Sequence, residues 1–315
     1  MNCRKWGNGV VANIIIFIVS LIGSTIQVHA QITPGTDIWL ADINDGFALT
    51  NHRNLTNREG YDNQPFFLPN GDMLFTRELT TKNQPQTDIF HAALSAHALS
   101  AITNTQESEY SPTLTPDKNR ISLIRVNNEG KQHLWRYSFP YDKHASVSLL
   151  PDIEPVGYHA WINEHAVLLF VLGEPHTLQR ANLLTKESEI LDRDIGPSLY
   201  RIPEELRMSY TRRVRNTSSV NQSEDSETWQ LMALNIKNNQ IEPLTELPKG
   251  AYYYAWTPDQ KVLAAAGSTI WMWNLKVPSQ PWSAQASLSK HCPAGITRLA
   301  VNASMTTLAY VCNRT

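Results

Sequence analysis

Side chains able to grip anions, stack against rings or move protons recur at two kinds of place in this chain. One set follows apolar segments: Arg77 and Glu78, Arg125, Glu174 and His176, and Arg212 and Arg213. The other set precedes them: Asp62 with Asn63 and Gln64, Glu109 with Tyr110, Tyr158 with His159, Tyr200 with Arg201, and Tyr252 with Tyr253. A guanidinium holds a carboxylate or phosphate through parallel N–H donors. A tyrosine offers a flat apolar ring with a polar tip, suited to sugars or peptides. The candidate ligand-binding set is Arg77, Glu78, Glu109, Tyr110, Arg125, His159, Glu174, His176 and Arg212. These groups can also pair with one another and plug a channel. His159, between Tyr158 and Trp161, reads as a hydrogen-bonded wedge as readily as a binding group.

Catalytic patterns are sparse. There is no Gly-x-Ser-x-Gly elbow, phosphate-cradling glycine loop or His-Glu-x-x-His pair. His159, His176 and Glu174 are residue types that ligate metals, so a metal-assisted carbohydrate lyase or hydrolase is the second reading. Glu174 could also act as a general base if burial raised its pKa. No catalytic residue and no cofactor is assigned, and a binding role is preferred to an enzymatic one.

Six copies of one hairpin position these residues. Each is an apolar segment, a polar turn and a second apolar segment. The turns are Pro69-Asn70-Gly71-Asp72, Pro116-Asp117-Lys118-Asn119, Asn163-Glu164, Pro203-Glu204-Glu205, Thr257-Pro258-Asp259-Gln260 and Asn302-Ala303-Ser304. Proline presets φ, and Asn, Asp and Gly tolerate the reversal. A third segment of period-two alternation follows five of the six, as in Asp88–Ala92 and Ile270–Trp273. The sixth reaches the C-terminus without one, while Asp37–Asp42 supplies a spare at the other end. The expectation is an all-β, six-bladed β-propeller of four-stranded antiparallel blades, closed by the N-terminal strand completing the last blade. Blades are placed near 54–101, 102–148, 149–190, 191–243, 244–285 and 286–315 plus 36–53. Antiparallel strands then bring both sets of polar residues to one mouth of the channel. The polar stretch Arg213–Glu227 reads as an inserted loop. Most tryptophans fall on strands and read as packing between blades.

The hairpins followed by Asp-Ile-Phe or Asp-Ile-Trp resemble the PD40, or WD40-like, repeats of TolB-like propellers. The strings Thr56–Pro65, Glu107–Pro112, Gly157–Trp161 and Phe170–Pro175 look like an exported bacterial subgroup with no settled function. The resemblance spans essentially all of the chain after residue 30. It implies a propeller that docks an envelope protein, as the namesake docks a peptidoglycan-associated lipoprotein. The α/β domain that precedes the namesake's propeller is expected to be absent here, because the first strand begins only a few residues after the expected signal segment.

Arg4-Lys5, the apolar run Val10–Gly23 and Val28-His29-Ala30 have the layout of a signal peptide, so residues 1–30 are expected to be removed. Periplasmic or secreted export follows, with no membrane span after cleavage and a monomer expected. The chain has 27 basic and 29 acidic residues, and loss of Arg4 and Lys5 takes the net charge from −2 to about −4. That charge argues against a nucleic-acid partner. Partners are expected to be an envelope protein, a glycan or a small anionic ligand. Cys292 and Cys312 flank the last hairpin and could be bonded across its open end or buried separately as thiols.

Overall fold

The computed structural model describes residues 35–81, 84–139, 145–214 and 228–314. The expected signal segment lies outside the described residues, as does most of the expected insertion after Val214. The first strands are β1 (Thr36–Asn44) and β2 (Ala48–Asn54). The next sheet is β3 (Asp62–Phe67), β4 (Met73–Thr81), β5 (Gln84–Ala93) and β6 (Ala98–Ala101). Then come β7 (Ser108–Leu114), β8 (Arg120–Val126), β9 (Gln132–Ser138) and β10 (Val147–Ser148). The third sheet is β11 (Val156–Asn163), β12 (Ala166–Val171), β13 (Thr177–Asn182) and β14 (Ser188–Arg193). The fourth is β15 (Ile195–Arg201), β16 (Arg207–Val214), β17 (Thr228–Asn235) and β18 (Ile241–Glu246). The fifth is β19 (Tyr254–Trp256), β20 (Lys261–Ala266), β21 (Thr269–Asn274) and β22 (Ser283–Ser287). The chain ends with β23 (Ile296–Val301) and β24 (Thr307–Asn313).

Six four-stranded antiparallel sheets result, and they form a six-bladed β-propeller. The sixth sheet has the order β2-β1-β24-β23. There β1 lies against β24, with Thr36 opposite Asn313, Ile38 opposite Val311 and Asp42 opposite Thr307. Both ends of the described chain therefore contribute to one sheet.

Burial explains why each blade reads as it does. The second strand faces a neighbouring blade on both sides, so its middle is buried, and in the third blade all of Ala166–Val171 is buried. The outermost strand faces solvent, and Ala98–Ala101 is exposed at every residue. Apolar clusters sit between successive blades. Leu74, Ile89, Leu123 and Tyr137 join the first and second. Met208, Tyr210, Leu168 and Leu178 join the third and fourth. Ile38, Val311, Met73 and Phe75 join the sixth to the first, which carries the packing around the ring.

The inner strands are irregular where they approach the mouth. Register shifts occur between Asn63 and Phe66, Tyr110 and Thr113, Val156 and Tyr158, Ile195 and Leu199, and Ile296 and Arg298. Bulges bend a strand and re-aim its side chains. In the fourth blade this requires Gly196, where an added Cβ would meet Thr211 Oγ1 at 2.2 Å.

Candidate functional site

The channel mouth is built around a cation that sequence reasoning did not single out. Arg298 lies on β23, at the bulge, and its Nη2 donates to the Tyr158 hydroxyl at 2.6 Å. Its guanidinium carbon sits 4.0 Å from the Tyr253 ring centroid and 5.1 Å from that of Tyr158. Burial disfavours the charge of Arg298, but the phenol oxygens of Tyr158, Tyr253, Tyr61 and Tyr200 outweigh that effect and raise its pKa. The surrounding phenols are raised in turn, Tyr61, Tyr200 and Tyr253 each chiefly by burial. The mouth thus presents a permanent cation in a cup of neutral hydroxyls and ring faces. No carboxylate pairs with this guanidinium among the described residues.

Beneath it lies a cavity of about 100 Å³, bordered by Tyr158, His159, Tyr200, Arg298, Ser111 and Ser198 among others. His159 is buried, and its Nε2 meets the hydroxyls of Thr113 at 2.9 Å and Ser122 at 2.7 Å. Burial drives its pKa down to about 3, so the imidazole is neutral at ordinary pH. The Trp161 indole donates to the same Ser122 oxygen at 2.8 Å. His159 is therefore a wedge between the second and third blades that also borders the cavity.

No family model matches the chain, and no curated protein matches it in sequence. Solved structures do match. A TolB-type protein of Agrobacterium tumefaciens aligns over 90% of this chain and 99% of its own, at 10% identity and a TM-score of 0.65. TolB of Acinetobacter baumannii aligns over 89% of this chain and 64% of its own, at 10% identity and a TM-score of 0.52. The fold is that of a TolB-like propeller. An oligogalacturonate lyase in complex with manganese shares it, over 87% of this chain and 82% of its own, at 10% identity and a TM-score of 0.56. This chain spans 64% of the Acinetobacter TolB.

The other expected site residues of this propeller lie in the rows nearest the mouth, and most are engaged. Arg77 stands opposite Asp62 and Asp88, and Arg125 opposite Glu109 and His133, so they hold corresponding places in successive blades. Arg77 Nε donates to the fully buried Asp62 at 2.9 Å and stacks over Phe90 at 4.7 Å. Arg58 adds a second donor to Asp62 at 3.2 Å. Glu78 receives the other arm of Arg58 on its backbone carbonyl at 2.7 Å, and burial holds its carboxyl above the usual range. Arg212 reaches Asp192 at 3.4 Å. Tyr110 is partly buried on β7, opposite Ile124. Glu174 is exposed, while His176 packs on Phe170 and accepts from the Gly173 N–H at 3.2 Å. Among the described residues no three His, Cys, Asp or Glu converge as a metal site, so His159, His176 and Glu174 do not form a donor set.

Arg125 breaks the pattern of Arg77. It turns to Glu107 and to the Tyr137 hydroxyl, the latter at 3.1 Å. Glu109 is left to the hydroxyls of Thr105 at 2.6 Å, Thr103 at 3.0 Å and Tyr137 at 3.3 Å, beside buried Asp88. Burial, reinforced by Asp88, pushes the Glu109 carboxyl up to about 8. Asp88 is raised as well, chiefly by burial. Two buried carboxyls that share one proton behave this way.

Cys292 and Cys312 form a disulfide with their Cα atoms 5.1 Å apart. Trp282 stacks on Trp273 and donates to the Glu246 carbonyl at 2.8 Å, which ties the fifth blade to the fourth.

Proposed function

We propose that this chain is an exported, periplasmic binding or scaffold propeller whose channel mouth engages an anionic group of a partner protein, glycan or small ligand. One observation carries the reading: Arg298 stands at the mouth among tyrosines, and no carboxylate pairs with it among the described residues. A partly buried charge without a counter-ion is costly, and a ligand that supplies the counter-ion recovers that cost. The rim residues Arg77, Glu78, Glu109, Tyr110, Arg125, Glu174, His176 and Arg212 surround such a ligand in this reading, with His159 below it. The likeness to TolB structures supports a binding role by analogy of fold. The lyase reading gains no support from the mouth, because its metal donors do not converge.

Photo-crosslinking tests the reading. A photoreactive side chain at Tyr61 or Glu174 samples the mouth, and one at Asp117 or Asp259 samples the opposite turns. Crosslinks in living cells are expected from the mouth positions alone. Equal capture from both faces, or capture only from the turns, would refute the proposal.

A further inference from the structure

The cavity under Arg298 has the composition of a site for one small carboxylate, and we propose that it binds a carboxylate carried on a short apolar stem. This deepens the binding reading above and rests on it. Four observations converge. The first is charge: Arg298 supplies one positive charge, and His159 beside it is neutral. A single guanidinium matches a monoanion, whereas a phosphate dianion calls for more cationic or backbone donors. The second is a pair of buried polar atoms without partners, Ser111 Oγ and His159 Nδ1, both on residues that border this cavity. His159 is only 5% exposed. Buried polar atoms of this kind are rare in folded chains and mark places where a ligand or water completes the bonding.

The third is how Ser111 is held. Gln64 and Ser111 occupy the bulges of neighbouring inner strands at φ values of 56° and 55°. Each precedes a proline, and such left-handed conformations are uncommon for residues with a Cβ. The Gln64 side-chain oxygen accepts from the Ser111 N–H at 2.8 Å and from Thr76 Oγ1 at 2.6 Å, which locks Ser111 in place. The fourth is size and lining. About 100 Å³ is the share of roughly three waters in the liquid. That volume takes a carboxylate and a few methylenes. Pro65, Phe66, Pro112, Leu199 and Leu299 supply the apolar wall for the stem.

The carboxylate could come from a free short-chain acid or from the C-terminus of a polypeptide, and the chemistry at Arg298 is the same. Calorimetric titration of the purified full-length protein with propionate, propionamide, and the tripeptide Gly-Gly-Ala as free acid and as amide tests the proposal. Saturable binding is expected for the two acids and none for the two amides. Arg298→Lys should weaken acid binding by about tenfold or more, the usual worth of a charge-assisted bond. Tyr158→Phe and Ser111→Ala, which remove only a hydroxyl, should each weaken it several-fold while melting as cooperatively as the parent. Tighter binding of the tripeptide acid assigns the site to chain ends, and equal or tighter binding of propionate assigns it to free acids. Acids and amides binding alike, no binding by either acid, or unchanged affinity in Arg298→Lys would overturn the proposal. If the acids fail while crosslinks persist from Tyr61 and Glu174, the carboxylate site falls and the binding module stands.

Discussion

Glu109 shows how one displaced side chain changes the chemistry of an interface. Asp62, its counterpart in the preceding blade, has Arg77 and Arg58. Glu109 has neither, because Arg125 pairs with Glu107 instead. Its folded pKa of about 8 lies above the ordinary 4.5. Between those values the folded chain keeps a proton that the unfolded chain releases. This pair therefore favours folding fully below about pH 4.5, and that contribution is lost as pH rises through 8. Denaturant melts across that range should show declining stability toward alkaline pH. Glu109→Gln, neutral at every pH, should flatten the decline and raise stability at pH 8. A variant with the parent's pH slope would show that the pair is ionised without penalty. Tyr158, Tyr200 and Tyr253 of the cup were legible because tyrosine recurs beside successive first strands, whereas Tyr61 was not singled out. Arg298 was not, because it stands alone on a strand with no other charge. Its place four residues before Asn302 matches that of Tyr253 before Thr257. Both Asn302 and Thr257 open the turn with an N–H bonded across the hairpin, to Thr307 and Lys261. Superposing the fifth and sixth copies on that bond was the signal available.

At the scale of the element, the last hairpin is fastened by covalent and strand pairing together. The Cys292–Cys312 bridge closes a loop of sequence separation 20. A loop of that length restricts the unfolded chain by about 3 kcal/mol in the chain-entropy model. Reduction, or the double change Cys292→Ala and Cys312→Ala, should lower stability by about that amount in a urea titration. An unchanged midpoint would mean that packing alone holds the hairpin. Element boundaries were harder to read than element identity. The fourth inner strand begins at Ile195 and runs through Gly196 and Pro197, which look like a turn in sequence. The strand persists there because Gly196 lets β16 approach closely, a demand set by the neighbouring strand and not by local preference. The outermost strands were faint for a related reason. They are mostly solvent-facing, and β10 keeps only Val147 and Ser148.

For the whole molecule, the six-fold repeat carried the fold. Buried second strands and polar turns recur with little variation, and six sheets follow. The pairing of β1 with β24 makes the first residues of the propeller part of its last sheet. A chain that begins at Ala48 would leave the buried β24 as an open edge. Such a chain is expected to run as aggregate or domain-swapped oligomer in size-exclusion chromatography. A well-folded monomer would show that the pairing is dispensable.

Crystallography in the presence of propionate examines binding at the channel mouth most directly. Difference density for a carboxylate seated on Arg298, with an oxygen near Ser111 or His159, is the predicted result. A cavity holding only solvent at saturating propionate, or the acid bound on the opposite face, would contradict it.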